Sequence, residues 1–354
     1  MKYTIIEINS EDGARYTAGV KAREDIENIV TMNGYTPIEV RVGHYNRKKC
    51  GLIKKVIIHK SIMKEWKRKT DHLKEEDELL IQFPVLNHSL FLYQAIKMLR
   101  KRNVKITLLI HDLDTFRVAL REDYTLKNRL RLKFEEQSLL DLGNKIIVHN
   151  KSMMFKLIQM GYSQYNMSVL GIFDYLIPNY EEKYKLNGFS KNKPIIIAGA
   201  LRYHKAKYIY DLPENIKFNL YGIGYKSQNK SNINYFGAFQ PDVLPFILSG
   251  SFGLVWDGES RFTCNGIYGK YLTINNPHKT SLYLASGIPV IIWENAALAE
   301  FVEKNRCGIT IKSLDDIENK LSLMSEKEYQ MLKVNAEFIG KRLRSGYYTT
   351  CALK

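Results

Sequence analysis

His278 and Lys279 form the pattern in this sequence whose chemistry is easiest to state. They follow Asn276 and Pro277, which predict the start of a helix, because proline is tolerated in a first turn whose N–H groups lack partners anyway. Gly287 would end that helix, and a short apolar run then predicts a buried strand of a parallel sheet. Free N–H groups and the macrodipole attract anions to a helix N-terminus, so the pattern favours a diphosphate site. An ordinary strand–helix unit with a solvated lysine is the alternative.

Three further candidates follow predicted strands in the second half of the chain. Arg202 comes after the strand 194–198, and its guanidinium can hold a diphosphate through two hydrogen bonds; a solvated surface arginine is the alternative. Tyr235 ends another strand, where an aromatic ring can cover a planar ligand ring, and core packing explains this residue less well. Asp257 opens a long loop, and loops of this length usually have a function. Because ligands of open α/β sheets bind at the carboxyl ends of strands, we expect these side chains to share one cleft.

In the first half, three residues are candidates for the base of a group transfer. His88, His111 and Asp112 each follow a predicted strand, where an imidazole or a carboxylate can take the proton of an attacking hydroxyl. We favour Asp112, because a carboxylate stays ionised at cytoplasmic pH. Thr17 is a candidate cap for the first helix, and Gly19 would let another group approach that helix closely.

The elements that must position these residues alternate between short apolar runs and longer amphipathic runs, which is typical of βαβ units with a parallel sheet. The predicted fold class is α/β, with two Rossmann-like domains facing a central cleft. One predicted helix of the first half spans 126–142. The predicted boundaries are 1–177 for the first domain, 178–193 for a linker, 194–335 for the second domain, and 336–354 for a C-terminal helix with a basic tail that crosses back.

Length and composition limit the class of protein. At 354 residues, with 45% hydrophobic and 25% charged residues, the chain is long enough for two ordinary globular domains. No apolar run approaches the roughly 18 residues needed to cross a bilayer, and Glu7 interrupts the first apolar run too early for a signal peptide. The cysteines show neither a zinc pattern nor a disulfide framework; they are Cys50, Cys264, Cys307 and Cys351. We therefore expect a cytoplasmic protein with reduced thiols.

The net charge of +16 calls for an anionic partner or surface. We find no recognisable nucleic-acid-binding motif, so the sequence does not favour nucleic acid. Residues 41–69 concentrate the charge, with 11 Lys and Arg against a single acid, Glu65. Within them an apolar stripe recurs at helical spacing and comprises Ile53, Val56, Ile57, Ile62, Met63 and Trp66. Such a helix can lie on anionic lipid with its tryptophan in the interface, or it can pack its stripe on the sheet.

Four segments carry a resemblance to a known family. They are Asn275–Lys279 together with Leu282–Ile291, His111–Arg117, Gly199–Arg202 and Gly253–Gly258. They resemble the bacterial GT-B-fold glycosyltransferase family that contains the streptococcal adhesin glucosyltransferases and the β-1,6-galactofuranosyltransferases. The resemblance implies transfer of a hexose, galactofuranose or glucose, from a UDP-sugar to a glycan acceptor in the synthesis of bacterial surface polysaccharide or glycoprotein.

The resemblance also implies a role for each domain. The first would be the acceptor side and would supply the base from Asp112, His111 or His88. The second would bind the nucleotide sugar. The residues expected at the donor are Thr17, Gly19, Arg202, Tyr235, Asp257, Asn276, His278, Lys279 and Thr280.

GT-B enzymes generally neutralise the diphosphate with basic residues and helix dipoles, so the resemblance implies no metal and no cofactor. Asp112 and Asp114 therefore do not indicate a metal site, and Asp114 can instead cap a helix or pair with Arg117. We expect a UDP-sugar, a free or lipid-linked glycan acceptor and an anionic membrane surface as partners, assembly into a homo-oligomer, peripheral attachment to the inner face of the cell membrane, and no nucleic acid. The alternatives are a non-hydrolysing UDP-sugar epimerase and a non-catalytic nucleic-acid-binding or glycan-binding protein.

Overall fold

A computed structural model of the chain describes residues 1–9, 18–42, 51–86, 91–118, 132–181, 190–226 and 230–354. Two predicted site residues, Thr17 and His88, lie outside these ranges, as does half of the predicted linker. Helices and strands are numbered below within the described residues.

The first half of the chain forms a six-stranded parallel sheet in the order β2-β1-β3-β4-β5-β6. Its strands are β1 (Lys2–Asn9), β2 (Thr36–Val42), β3 (Glu78–Phe83), β4 (Lys105–Ile110), β5 (Lys145–Val148) and β6 (Met167–Val169). Its helices are α1 (Ala18–Met32), α2 (Leu52–Lys69), α3 (Leu92–Lys101), α4 (Asp114–Val118), α5 (Ser138–Leu140) and α6 (Lys151–Gln159). A π-helical turn, Lys133–Gln137, leads into α5, so the described part of the predicted helix 126–142 is less regular than expected.

Helices cover both faces of this sheet, because successive side chains of a strand point to opposite faces. Leu79 and Ile81 of β3 pack in one buried cluster with Trp66 of α2. Leu80, between them, packs in another cluster with Ile26 of α1. Five of the six residues of β3 are buried, which is why its sequence is mostly apolar rather than alternating.

The amphipathic helix α2 divides into two parts. Trp66 is fully buried and Ile62 is 4% exposed, so of the two interpretations packing on the sheet holds for this part of the helix, and the tryptophan does not lie in a lipid interface. Ile53 and Ile57, in the first two turns of the helix, are 79% and 61% exposed. The C-terminal part of the apolar stripe therefore packs on the sheet, while the N-terminal part faces solvent. Within the described residues, no helix combines the length and the apolar composition needed to cross a bilayer.

The second half forms another six-stranded parallel sheet, in the order β12-β11-β10-β7-β8-β9. Its strands are β7 (Ile195–Ala200), β8 (Phe218–Ile223), β9 (Ile233–Tyr235), β10 (Gly253–Val255), β11 (Val290–Trp293) and β12 (Gly308–Ile311). Its helices are α7 (Tyr203–Ala206), α8 (Leu244–Ile247), α9 (Gly266–Tyr271), α10 (His278–Ala285), α11 (Ala299–Lys304), α12 (Asp316–Leu323), α13 (Glu326–Arg344) and α14 (Tyr347–Leu353). Two such sheets confirm the predicted α/β fold class with two Rossmann-like units.

The order of the strands reverses once in each sheet, and that reversal locates the binding crevices. In the first sheet β1 lies between β2 and β3, and in the second β7 lies between β10 and β8. Ligands of open α/β sheets bind outside the carboxyl ends of the strands at such a reversal. The loops after β7 and β10 therefore form the expected crevice of the second sheet.

The C-terminal helices return to the first half of the chain, where α14 lies against α1. The carboxylate of Asp174 accepts hydrogen bonds from the N–H groups of Tyr348 (3.2 Å) and Thr349 (2.7 Å). Ala352 joins the buried cluster between α1 and the first sheet. The predicted basic tail is wrong, because the residues after α13 form α14 and include only one basic residue, Lys354. The predicted domain boundaries stay predictions.

Candidate active site

The carboxyl ends of the two sheets face each other across an interface, which is called the seam below. The segment that follows β6 lies in this interface. Phe173 in that segment stacks on His111, which follows β4, with ring centroids 5.3 Å apart and planes 11° apart. The same phenyl ring contacts His149 at 4.9 Å and His278 at 6.3 Å. The first residue of α10 is therefore separated from the end of the first sheet by a single aromatic ring.

Three polar atoms around the start of α10 are buried without a hydrogen-bond partner among the described residues. They are Oδ1 of Asn275, Nε2 of His278 and Oγ1 of Thr280. Buried polar groups in folded proteins nearly always have a partner, so each of these atoms marks a place for a ligand group or a water molecule. Pro277 precedes α10 and supplies no side-chain cap, and the N–H groups of the first two helical residues have no partner inside the helix.

Lys279 directs its ammonium group at the loop after β10. Nζ donates to the carbonyl oxygen of Trp256 and to Oδ1 of Asp257, each at 2.9 Å. An ammonium group has three N–H donors, so one remains. Burial lowers the pKa of Lys279, and the carboxylate of Asp257 opposes that change. Lys279 is thus one partner of a buried ion pair at the predicted donor site, rather than the solvated lysine of the alternative interpretation.

Arg202 lies on the neighbouring loop, after β7. The ends of β7 and β8 approach so closely that a Cβ atom added at Gly222 would lie 1.8 Å from the carbonyl oxygen of Gly199. The N–H group of Gly258 donates to the carbonyl oxygen of Lys205 (3.0 Å), so the loops after β7 and β10 run side by side. The side chain of Arg202 is exposed and makes no hydrogen bond or ion pair with the described residues. Its guanidinium is therefore available to a phosphate group.

Tyr235 ends β9 at the same edge of the second sheet. Its hydroxyl donates to the carbonyl oxygen of Gly222 at 2.8 Å, and its ring meets the ring of Tyr225 edge-on at 5.3 Å. The residue is nevertheless 42% exposed. The ring is held in place with much of its surface accessible, as stacking on a planar base requires.

Asn276, which was predicted to contact the donor, instead forms hydrogen bonds within the protein. Its Nδ2 donates to the carbonyl oxygens of His149 (2.8 Å) and Gly171 (3.0 Å), and its Oδ1 accepts from Nδ2 of Asn150 (2.7 Å). Its backbone N–H donates to Nδ1 of His149 at 3.1 Å. All of these partners belong to the first half of the chain. The side chain therefore ties α10 to the end of β5, which favours a structural role over the predicted contact with the donor.

The first turn of α1 lies at the seam as well. A Cβ at Gly19 would meet no described atom within 4 Å, so the space in front of this residue is open. Two residues later, Nζ of Lys21 lies 2.7 Å from Asp25 in the same helix and 2.7 Å from Asp242 in the second half. Burial raises the pKa of Asp25 to about 7, although Lys21 lowers it. This ion triad, which the sequence did not indicate, holds α1 against the second half.

Both carboxylate oxygens of Asp112 are engaged. Oδ1 accepts from the hydroxyl of Tyr271 (2.5 Å) and the N–H of Leu113 (2.9 Å), and Oδ2 lies 2.9 Å from the guanidinium of Arg117. Arg117 also pairs with Asp114, so a guanidinium lies between the two carboxylates that a metal would have to share. No three His, Cys, Asp or Glu side chains are arranged to hold a metal in the part of the chain that the structure describes. Asp112 ties the two halves together and is a poor candidate for accepting another proton.

His111 keeps a nitrogen that can accept a proton. Its Nε2 lies 2.6 Å from Oε1 of Gln82, and the described residues form no hydrogen bond with Nδ1. Burial lowers the pKa of His111 well below its usual value, and the charge of Arg23 lowers it further, so the ring is neutral at pH 7. Gln82 was missed by sequence reasoning, although a polar residue inside an otherwise apolar strand was a signal that could have found it.

Two parallel Rossmann-like sheets with a basic helix start at their seam are the arrangement of the GT-B fold, in which glycosyltransferases are one class of enzyme. The chain belongs to the glucosyltransferase 3-like family. Residues 2–172 match the family model described as "Glucosyltransferase 3-like, N-terminal domain". Residues 195–354 match the model described as "Glucosyltransferase 3-like, C-terminal domain". The resemblance drawn from the four sequence segments is thereby confirmed, and the protein is an enzyme.

Individual relatives agree with this assignment. The β-1,6-galactofuranosyltransferase WbbI of Escherichia coli (strain K12) is 35% identical over 282 residues, 78% of each chain. Glucosyltransferase 3 of Streptococcus parasanguinis is 25% identical over 281 residues, 78% of this chain and 77% of the relative. The α,α-trehalose-phosphate synthase (UDP-forming) of Burkholderia vietnamiensis shares the fold, with a TM-score of 0.59 and 10% identity over 99% of both chains. The epimerase and non-catalytic alternatives gain no support from these relatives.

Replacing Asn276 with alanine tests its structural role. The change removes the partner of two buried carbonyl oxygens, those of His149 and Gly171, and of the amide of Asn150. Each buried group left unsatisfied costs about 1–3 kcal/mol. We expect urea denaturation to show a loss of unfolding free energy of at least that size for Asn276→Ala, and a smaller loss for the control Asn275→Ala, whose side-chain oxygen has no partner. Equal losses in the two variants would contradict the structural role.

Proposed function

We propose that this enzyme transfers a hexose from a UDP-sugar to a glycan acceptor in the synthesis of bacterial surface polysaccharide or glycoprotein. The observation that carries the proposal is the start of α10, where unpartnered polar atoms and Lys279 lie across the ring of Phe173 from His111. Galactofuranose is the sugar we favour, because the 35% identical relative is a β-1,6-galactofuranosyltransferase. Glucose is the second candidate, on the basis of the more distant glucosyltransferase.

The diphosphate would lie at the first turn of α10. The free N–H groups there, the remaining N–H of Lys279 and the unpaired guanidinium of Arg202 supply hydrogen bonds and positive charge. Negative charge develops on the diphosphate as its bond to the sugar breaks. Donors that are already in place stabilise this charge without reorganising at the moment of reaction. The uracil ring of the donor would stack on the ring of Tyr235.

His278 is suited to a hydroxyl group rather than to a phosphate oxygen. Burial lowers its pKa to about 3, so the ring is neutral at pH 7. The Nε2 atom of His278 is buried and has no hydrogen-bond partner among the described residues. A nitrogen of a neutral imidazole donates or accepts according to its tautomer. We propose that Nε2 forms a hydrogen bond with a hydroxyl of the donor, on the ribose or on the sugar.

We propose His111 as the base, in place of Asp112. Arg117 and two further donors already hold the carboxylate of Asp112, whereas Nδ1 of His111 has a lone pair. The acceptor hydroxyl would give its proton to Nδ1 as its oxygen bonds to the anomeric carbon. The bond from that carbon to the UDP oxygen breaks at the same time, and UDP leaves with the electron pair. No metal takes part in this scheme, because Arg202, Lys279 and the helix start neutralise the diphosphate.

We also propose that the N-terminal part of α2 contacts the anionic inner face of the cell membrane. Ile53, Val56 and Ile57 are exposed, and lysines alternate with them along the helix. Apolar side chains can enter the interface while the lysines meet lipid phosphates, each adding about 1 kcal/mol near the surface. The enzyme would then act from the cytoplasm on a membrane-bound acceptor. The expected homo-oligomer stays a prediction.

The diphosphate site is tested by calorimetric titration with UDP. Arg202→Ala and Lys279→Ala should each weaken binding by about 1.5–3 kcal/mol, the range for hydrogen bonds to charged groups. The control Lys304→Ala removes an exposed lysine at the end of α11 and should leave the affinity unchanged. Wild-type affinity in both site variants would remove these residues from the diphosphate site.

The base is tested by single-residue kinetics. His111→Asn should lower kcat by about 10²–10⁴-fold, the contribution of a positioned base, with little change in the Kd of UDP. Asp112→Asn should act mainly on stability, because it weakens the tie to Arg117 and Tyr271. A chelator should not inhibit the wild-type enzyme. Full activity of His111→Asn would place the base elsewhere, with Asp112 and His88 as the next candidates.

Membrane contact is tested by cosedimentation with anionic vesicles of phosphatidylglycerol and phosphatidylcholine at low salt. The double variant Ile53→Ser, Ile57→Ser should bind these vesicles less than the wild type, with an unchanged Kd for UDP. The control Leu323→Ser changes a residue of α12 that is 77% exposed, and it should bind like the wild type. If the double variant binds as well as the wild type, this part of α2 is ordinary surface.

A further inference from the structure

A chain of hydrogen bonds runs from α1 through β3 to the end of β4. Gln82 of β3 is 3% exposed, and its Nε2 lies 3.2 Å from Oε1 of Glu27 and 3.3 Å from the carbonyl oxygen of Arg23, both on α1. Its Oε1 lies 2.6 Å from Nε2 of His111. A buried glutamine therefore connects an acidic residue to the imidazole at the seam.

The neighbours of Gln82 fix the direction of these bonds. The backbone carbonyl of Arg23 only accepts, and an ionised Glu27 only accepts, so the NH₂ side of the amide must face α1. The opposite assignment would place Oε1 against two acceptors. Oε1 therefore faces His111, and Nε2 of His111 must carry the hydrogen of that contact. In the neutral ring, the lone pair is then on Nδ1.

Burial lowers the pKa of His111, and Arg23, His149 and His278, which face the ring, lower it further. Arg23 in turn lies between two acids, with Glu7 at 3.9 Å. Burial raises the pKa of Glu27 to about 7, and Arg23 and the hydrogen bond from Gln82 oppose that change. The ionised form of Glu27 favours a positive charge on the imidazole, two hydrogen bonds away, at the step when the ring takes a proton.

We propose that Gln82 and Glu27 are positioning residues that fix His111 in the tautomer with its lone pair on Nδ1, a proposal that rests on the proposed role of His111 as the base. When Nδ1 takes the proton of the acceptor hydroxyl, Nε2 keeps its hydrogen and its bond to Gln82. The proton later leaves Nδ1 to solvent, and the same tautomer is restored. Neither residue touches the substrate. Their effect is on which ring nitrogen is basic.

The tautomer can be measured without any turnover. In the full-length protein with ¹⁵N-labelled histidine, long-range ¹H–¹⁵N correlation spectra distinguish a ring protonated at Nε2 from one protonated at Nδ1. The signal of His111 is assigned by its loss in His111→Asn. We expect the Nε2–H form in the wild type and a mixture of forms in Gln82→Met, which keeps the side-chain length and removes the amide. A wild-type ring protonated at Nδ1 would overturn the proposal.

Kinetics supply the second readout. Gln82→Met should lower kcat at least about tenfold, part of the effect of a positioned base, with KM for the donor unchanged. Gln82→Glu should restore the Nε2–H form and part of kcat. A nearby carboxylate raises the pKa of an imidazole. As the pH is lowered, Gln82→Glu should therefore lose its activity at a higher pH than the wild type does. Wild-type kcat and an unchanged pH profile in both Gln82 variants would contradict the positioning role.

A matched control separates positioning from packing. Asn219 is another buried amide, in β8, where it donates to the carbonyl oxygen of Ser249 and accepts from Asn234. Asn219→Leu should lose stability but keep the His111 tautomer and the pH profile. If His111→Asn stays active, the base assignment fails while the tautomer result stands on its own. If His111→Asn is inactive and Gln82→Met is not, only the positioning role fails.

Discussion

The arrangement of the seam depends on buried hydrogen bonds between Asn276 and the end of β5. The backbone N–H of Asn276 donates a hydrogen bond to the ring of His149. Its side chain forms hydrogen bonds with two carbonyl oxygens and with the amide of Asn150. Breaking one of these bonds leaves a polar group unsatisfied in a buried place, which is costly. The first turn of α10 therefore has one favoured position relative to the first sheet, and the groups beside it take their places from that position.

Polar groups at the seam divide into those that are satisfied and those that are not. Asn276 and Asp112 use their hydrogen-bonding capacity within the protein, and both connect the two halves. His278 and Thr280 keep buried atoms without partners among the described residues, and the exposed guanidinium of Arg202 is unpaired there. The first group gives the site its shape, and the second is available to a ligand. Near the start of α10, members of the two groups are close in sequence, because Asn276 is satisfied whereas His278 and Thr280 are not.

The sequence predicted the strands, the start of α10 and the family, because apolar runs, proline and glycine act locally. It could not predict which polar residues serve the seam, since Asn276 and His278 are neighbours with equally polar side chains. The preference for Asp112 took no account of its partner Tyr271, which is 159 residues away in sequence. Gln82 was missed because its partners come from α1 and β4. The sequence left open whether the apolar stripe of α2 meets lipid or packs on the sheet, because periodicity shows a stripe but not what covers each part of it. In the structure Trp66 is buried.

The helix α14 also has a consequence for the order of folding. Ala352 fills the cluster that Ile26, Val30 and Leu80 form between α1 and the first sheet. During translation the first sheet emerges long before this helix, so its nascent form leaves part of that cluster uncovered. Contacts so distant in sequence form late, and exposed apolar surface in the interval invites aggregation. The first Rossmann-like unit therefore completes its core only when the ribosome has delivered the residues that follow the second.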